Sequence, residues 1–428
     1  MINLEISKKL FDTARKRVPN CSSSFSKGYT QFVQGLAPIY AERADGCVLY
    51  DVDGNGWLDF VMALCPCVLG YNHPVSNEAV RRQLEKGTTF TLPHRLEIEL
   101  AEKLSTIIPC ADWTRLGKNG SDVTTAAVRL SRAHTGRDLV ACCGYHGWHD
   151  WYVATTLRNV GVPGAVADLT RTFAYNDLDS LKSVFEQNPG RVACVIMEPT
   201  HLEEPRDGFL HKVKKLCRDE GALLVFDEIV TGFRWAMGGA QEYLGVTPDL
   251  ATFGKAMANG LPIAVLAGRQ EYFETMERIF YSFTFAGEAL SLAASMAVID
   301  YMMEHNVIDF LWKQGRKMMQ GYDEAARRAG IGETTFCKGV GPRHVMMFNA
   351  ESEAESLLMK SFLQQECIKR GYLFYGCHNM SLAHDDRTCN RVLAIYNEVL
   401  PLLAEALSRG NLAERMEGVP IAPVFRRV

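Results

Sequence analysis

Residues 222–266 read ALLVFDEIVTGFRWAMGGAQEYLGVTPDLATFGKAMANGLPIAVL. The segment opens with a short apolar run, Ala222 to Phe226, preceded by Gly221 and ended by two carboxylates, Asp227 and Glu228. A run this short and this apolar suits a strand buried on both faces of a parallel sheet. Ligands of such sheets gather at the carboxyl ends of the strands, which is where Asp227 falls. A second apolar run, Leu250 to Phe253, delivers Gly254 and Lys255 into small residues, so Lys255 is expected at a strand end or tight turn. A buried carboxylate and a lysine on neighbouring strand ends suit pyridoxal phosphate. That cofactor needs an amine for a Schiff base and an acid to keep its ring nitrogen protonated. On these residues alone, a structural ion pair is an equal reading.

Composition narrows the classes. The chain has 428 residues, 47% hydrophobic and 22% charged, with 46 Lys and Arg against 50 Asp and Glu. This is a globular composition, long enough for two or more subdomains. Without a basic excess or basic run, nucleic acid is not an expected partner. The start, MINLEISKKLFDTARKRVPN, has helical spacing but no apolar signal core, and no stretch of about 18 apolar residues occurs, so no membrane partner is expected. Thirteen scattered cysteines read as buried free thiols of a reducing cytoplasm. Cys65, Cys67 and His73 make only a weak metal pattern, and no metal is assigned.

The wording around the central pair is more specific. FDEIVTGFR, GGAQEYLGVTPDLATFGKAMANGLP and the later TFAGEALSLAA resemble the class III, fold type I, pyridoxal-phosphate aminotransferases. Within them the resemblance is nearest to the glutamate semialdehyde aminomutase branch, and it runs from about Pro38 to the final residues Pro423 to Val428. It implies an α/β fold, with a large, mostly parallel-sheet domain and a smaller α+β domain. The implied homodimer shares its active sites and cycles between pyridoxal and pyridoxamine phosphate.

Carried onto this sequence, the resemblance makes Lys255 the Schiff-base lysine, Asp227 the partner of the ring nitrogen and Tyr145 the ring that stacks on the cofactor. His146 lies beside Tyr145, Glu198 near the cofactor, and Ile229 follows the Asp227 strand as a further cofactor-binding residue. Asn119, Gly120 and Ser121 match the turn that holds the phosphate, and Thr284 the threonine that reaches the phosphate of the neighbouring subunit. Physics supports the 119–121 turn independently, because a glycine turn opening a helix presents unpaired N–H groups and a positive dipole end.

Three departures bear on the substrate. Where the aminomutases carry an arginine for the substrate carboxylate, this chain offers Ser26 and Lys27, a point charge rather than a fork. Glu288 replaces the aminomutase asparagine, and residues 201–207 are unusually charged. Together they point to a polar acceptor such as a keto-sugar, with glutamate as a candidate amine donor. Val230, apolar where some aminotransferases carry glutamine, fits the aminomutase-like branch. Intramolecular amine transfer is the alternative, and a cofactor-binding but inactive protein is the reading from a different class.

Along the chain, an N-terminal helix is expected, then a polar loop at 20–28 and short strands around the Asp53-Gly-Asn-Gly56 turn. Helices are expected over 74–87, 96–108 and 123–132, with strands at 138–144 and 189–198. From about Asn306 the pattern turns to alternating helices and short strands, including strands at 344–348 and 371–375. These signals divide the chain into residues 1–60, packing with the small domain, 61–305 as the large cofactor-binding domain, and 306–428 as the small one.

Overall fold

The structure is a computed structural model that describes residues 2–200 and 202–423. His201 of the charged loop and the last five residues of the family resemblance lie outside the described residues. The chain forms two compact units. One joins the stretch up to His73 to the stretch from Asp309 onward, and the other is Pro74–Ile308.

In the first unit β1 (Ala41–Asp45), β2 (Val48–Asp51) and β3 (Gly56–Leu58) form an antiparallel meander. Asp51 closes its last turn. Oδ1 accepts from the N–H groups of Asp53 (3.0 Å) and Asn55 (2.8 Å), and Oδ2 from the Trp57 indole (3.0 Å).

The second unit is built on a seven-stranded sheet. Its strands are β4 (Trp113–Gly117), β5 (Leu139–Cys143), β6 (Thr170–Thr172), β7 (Val192–Met197), β8 (Leu223–Asp227), β9 (Leu250–Phe253) and β10 (Ala264–Gly268). Their spatial order is β4-β10-β9-β8-β7-β5-β6, parallel from β9 to β6, with β10 antiparallel to both its neighbours. Every residue of β7, β8, β9 and β10 is buried, which explains why they are apolar but for Asp227 and Thr252.

The helix Gly120–Thr135 packs Val123, Ala127 and Leu130 into the core formed with Val140, Ile196 and Val225. Burying each of these valine, leucine and isoleucine side chains contributes about 1.5–3 kcal/mol. The Asp122 carboxylate starts this helix by accepting from the N–H groups of Asn119 (2.7 Å) and Lys118 (3.1 Å). Burial pushes the Cys142 and Cys194 thiols up to about 12, so they remain unreactive protonated packing groups. Among the described residues no helix is long and apolar enough to cross a membrane.

Back in the first unit, β11 (Thr335–Val340), β12 (Arg343–Phe348) and β13 (Cys377–Asn379) make an antiparallel sheet flanked by the helices Glu353–Ile368 and Asp386–Ser408. The strand expected over 371–375 is absent. Tyr372 makes a single bridge with Leu58, after which the Gln364 side chain takes the Phe374 carbonyl (2.8 Å). The strand forms two residues later as β13.

A buried chain of polar side chains ties this unit together. His344 Nδ1 lies 3.3 Å from the Gly341 carbonyl and its Nε2 lies 2.9 Å from His378 Nδ1. His378 Nε2 meets the hydroxyls of Tyr396 (2.8 Å) and Tyr372 (3.0 Å). A carbonyl only accepts, so His344 donates from Nδ1, and with both rings neutral His378 must donate to it and accept from the tyrosines. Burial pushes His344 down to about 4 and His378 well below its usual value, in keeping with neutral rings.

The sign for stability follows directly. Both folded values lie below the unfolded value near 6.5, so the unfolded chain binds the extra protons. Stability is therefore intact above about pH 6.5 and falls as the pH drops toward 4. Denaturant unfolding at pH 7.5 and 5.0 is expected to differ by roughly 2 kcal/mol from His344 alone, and His344→Gln is expected to flatten that slope.

Candidate active site

β8 places Asp227 at its carboxyl end, 4% exposed, with its three hydrogen-bonding partners already in place. Oδ1 accepts from the Ile229 N–H (3.1 Å) and the Thr252 hydroxyl (3.4 Å). Oδ2 lies 2.8 Å from His146 Nδ1. The other ring nitrogen of His146 lies 3.1 Å from the Cys143 carbonyl and must donate to it. One proton therefore lies between Nδ1 and Oδ2, and the imidazole holds the carboxylate from behind. His146 lines the cavity, yet both of its nitrogens are already engaged.

Lys255 reaches the same cavity from the neighbouring strand. β9 pairs with β8 in the register Asp227 to Thr252, and Lys255 follows three residues later. It opens the 3-10 turn Lys255–Ala258 with φ +42°, a left-handed conformation that costs a non-glycine residue about 1 kcal/mol or more. Beyond that turn, β10 leads the chain back through the buried sheet.

The cavity, about 170 Å³, is lined by Gly120, Ser121, Tyr145, His146, Glu198, Asp227, Ile229 and Lys255, with Thr124, Gly147 and Val230. Gly120 and Ser121 are the first residues of a 16-residue helix, so their N–H groups have no partner within it. The Trp148 N–H donates to Ser121 Oγ (3.2 Å) and the Thr124 hydroxyl to the His146 carbonyl (3.0 Å), stitching the 146–148 loop onto the helix start. Gly147 permits this contact. Its φ is +102°, and a Cβ there would lie 2.2 Å from Ser121 Oγ. Tyr145 is 49% exposed, with its ring edge-on to Tyr152.

Two expected residues lie outside the cavity. Asn119 fixes the entry to the helix through its N–H on Asp122, and Thr284 sits on an exposed turn. Thr124, Gly147 and Thr252 escaped the sequence reading. Thr252, the one polar residue in Leu250-Ala-Thr-Phe253, carried a signal, whereas Gly147 and Thr124 carried none.

Glu228, next to Asp227, points to a different task. Its oxygens accept from the Ala240 (2.7 Å) and Gln241 (2.8 Å) N–H groups and from the Thr231 hydroxyl. Burial pushes it up to about 7 against the pull of those donors. Glu288 is also engaged: its oxygens accept from the Leu290 N–H (2.7 Å), the Ser291 N–H (3.2 Å) and hydroxyl (2.7 Å), and Lys118 Nζ (2.9 Å). Burial works to raise it, but these donors outweigh burial and hold it below the usual carboxylate range. It caps the helix Ala289–Glu304. A larger cavity of about 440 Å³ lies within the other unit, but the lysine–carboxylate pair belongs to the smaller one. Among the described residues no group of three His, Cys, Asp or Glu is arranged to hold a metal.

Comparison with known proteins shows the family and the fold. The family model described as aminotransferase class-III matches residues 31–382. A 3-aminobutyryl-CoA aminotransferase of Cloacimonas acidaminovorans is 37% identical over 338 residues, covering 77% of this chain and 81% of that protein. A glutamate-1-semialdehyde 2,1-aminomutase of Syntrophobacter fumaroxidans is 38% identical over 315 residues, covering 69% and 73%. The FumI protein of Sphingopyxis sp. MTA144, solved in its PLP internal aldimine form, superposes with a TM-score of 0.87 at 27% identity, covering 94% of this chain and 97% of that one.

Gly147→Ala is expected to cost about 1–3 kcal/mol and to displace the helix start. Thermal unfolding and the cofactor content of the purified variant check both effects.

Proposed function

From the chain's membership in the class III aminotransferases, which are pyridoxal-phosphate enzymes of fold type I, we propose that Lys255, Asp227 and Tyr145 are its catalytic residues. The observation that carries this reading is the convergence on one cavity of a primary amine, a pre-partnered buried carboxylate and a helix N-terminus. Those donors fit pyridoxal phosphate: the Gly120 and Ser121 N–H groups suit its phosphate, Asp227 its ring nitrogen and Lys255 its aldehyde.

When bound, the cofactor supplies the carbonyl that takes up the amino group and the electron-poor ring that stabilises negative charge at the neighbouring carbon. The protein's residues do the rest. Asp227, fixed by His146, Thr252 and the Ile229 N–H, holds a proton at the ring nitrogen. Tyr145 covers one face of the ring and, with Ile229, keeps water from it. Lys255 Nζ would take the proton from the amine-bearing carbon of the donor and return it two bonds away, on the far side of the nitrogen. Asn119 orients the phosphate turn, and Glu198 and His146 complete the wall.

We further propose glutamate as the amine donor and a small polar carbonyl compound, such as a keto-sugar, as the acceptor. Glu288 is committed to its helix, so this reading rests on Lys27 in place of a bidentate arginine and on the polar 202–207 segment. There Arg206 pairs with Glu203 (2.8 Å). The intramolecular aminomutase remains the second reading, favoured by the apolar Val230 in the cavity wall.

Homodimerisation is supported by exposed Phe90, Leu92, Ile98, Trp148, Phe280 and Phe285, all in the unit that holds the site. A reducing cytoplasm is supported by the burial of ten of the thirteen cysteines.

Adding L-glutamate without acceptor to the purified protein tests the chemistry. The visible cofactor band is expected to convert to the pyridoxamine form as 2-oxoglutarate appears, and a band unchanged by any amine overturns the reading. Lys255→Ala is expected to lower turnover by roughly 10²–10⁴-fold, with an added small amine restoring part of it. Lys255→Ala and Thr284→Ala proteins, each impaired alone, are expected to regain activity when mixed and allowed to exchange subunits. No recovery despite verified exchange would place Thr284 outside a shared site.

A further inference from the structure

The residue just ahead of the Asn119–Ser121 turn is tied to a distant part of the same unit. Lys118 Nζ lies 2.9 Å from Glu288 Oε2 and 3.3 Å from Ser291 Oγ. The two side chains of the ion pair are only 13% and 16% exposed, so water screens it less than a surface pair. Its geometry is set from both sides. The Leu290 and Ser291 N–H groups fix Glu288, and the Lys118 N–H is held by Asp122, the carboxylate that starts the helix Gly120–Thr135.

The segment that ends at Glu288 is anchored elsewhere on the same body. Arg129, on the helix Gly120–Thr135, donates from Nη1 to the Phe280 carbonyl (2.6 Å), and Arg115, in β4, from Nη2 to the Tyr281 carbonyl (3.3 Å). At the far end the Ala289 N–H donates to the Thr88 carbonyl (2.8 Å). Between these anchors the tip closes on itself, the Ala286 N–H donating to the Phe283 carbonyl (3.2 Å) and the Glu288 N–H to the Phe285 carbonyl (3.2 Å). Ser282, Thr284 and Phe285 are exposed on it. A loop fastened at both ends has little ordering left to do when it meets a ligand.

We propose that Lys118 and Glu288 are positioning residues for the cofactor's phosphate: their ion pair fixes the turn that presents the Gly120 and Ser121 N–H groups. The proposal rests on the reading of that turn as the phosphate site. Neither residue lines the cavity, so the pair acts through the backbone it joins. The same tie fastens the loop that carries Thr284, so the turn a subunit uses and the threonine it offers to its neighbour are held as one piece.

Lys118→Met and Glu288→Gln separate positioning from plain attraction, because the two accounts differ in sign. If Lys118 served only as a positive charge near a phosphate, Lys118→Met would weaken binding, whereas Glu288→Gln, by removing a negative charge, would tighten it. A clasp is broken by either change. Each purified protein is stripped of cofactor and titrated with pyridoxal phosphate and with pyridoxal, which lacks the phosphate, and binding is read from the visible band. The dissociation constant for pyridoxal phosphate is expected to rise about fivefold or more in both variants. That for pyridoxal is expected to stay within about twofold of the wild-type value. The melting temperature of the cofactor-free protein is expected to stay within about 3 °C of the wild-type value.

Tighter binding of pyridoxal phosphate to Glu288→Gln overturns the proposal, as does no change in either variant. So does an equal loss for pyridoxal, or a loss that only follows a falling melting temperature, since either makes the pair a support of the fold alone. Wild-type protein that binds pyridoxal phosphate no better than pyridoxal would instead overturn the assignment of the phosphate turn itself.

Discussion

Everything at the candidate site depends on one carboxylate being held still. A carboxylate buried at the end of a parallel strand is unfavourable unless its oxygens find donors. Asp227 finds them in three separate elements: the loop after β5 through His146, β9 through Thr252, and its own chain through Ile229. The hydrogen bonds that make its burial tolerable also fix its direction. His146 is in turn secured by the Cys143 carbonyl and Thr124. The carboxylate is therefore tied, at one or two removes, to the helix that presents the Gly120 and Ser121 N–H groups. The buried carboxylate and the open helix start share a single polar scaffold, and a disturbance at Gly147 reaches both.

Much of this was legible in the sequence because burial on both faces leaves a plain signature. Ala222–Phe226 is apolar throughout and Leu250–Phe253 is apolar but for Thr252, and their abrupt ends before Asp227 and Gly254-Lys255 single out the two residues that share the smaller cavity. Close approach is harder to read. Nothing in Tyr-His-Gly-Trp says that Gly147 must lie against Ser121, since the contact arises only when the helix Gly120–Thr135 is packed on β5. The polar network of His344, His378, Tyr372 and Tyr396 was equally hidden. Its members are spread over 52 positions (396 − 344) and become a chain only through tertiary packing. The failure at 371–375 has a similar cause: an apolar, aromatic segment met a partner strand only three residues long, and pairing stopped after one bridge.

The two carboxylates of the Asp227-Glu228 pair show how strand alternation divides labour. Successive side chains point to opposite faces, so neighbours with the same chemistry enter different surroundings. Asp227 faces the cavity, whereas Glu228 gathers the start of the Ala240–Leu244 helix and the Thr231 hydroxyl. Glu288 repeats the lesson, since a residue that looks free to meet substrate is engaged by a helix terminus and Lys118. At both places the hydrogen-bond partners, rather than the residue type, decide the role.

The antiparallel return of β10 beside β9 gives Lys255 a particular kind of freedom. Both flanking strands are wholly buried, β9 ending two residues before the lysine and β10 beginning nine residues after it, so the backbone is anchored on either side. The side chain, by contrast, has four rotatable bonds and ends in the open space of the cavity. Motion of the amine is thereby confined to rotamer changes, which take picoseconds to nanoseconds, and is separated from the slower breathing of loops and domains. In the role proposed for it, the amine can release one partner, visit another and come back around a fixed pivot, without waiting for the protein to rearrange.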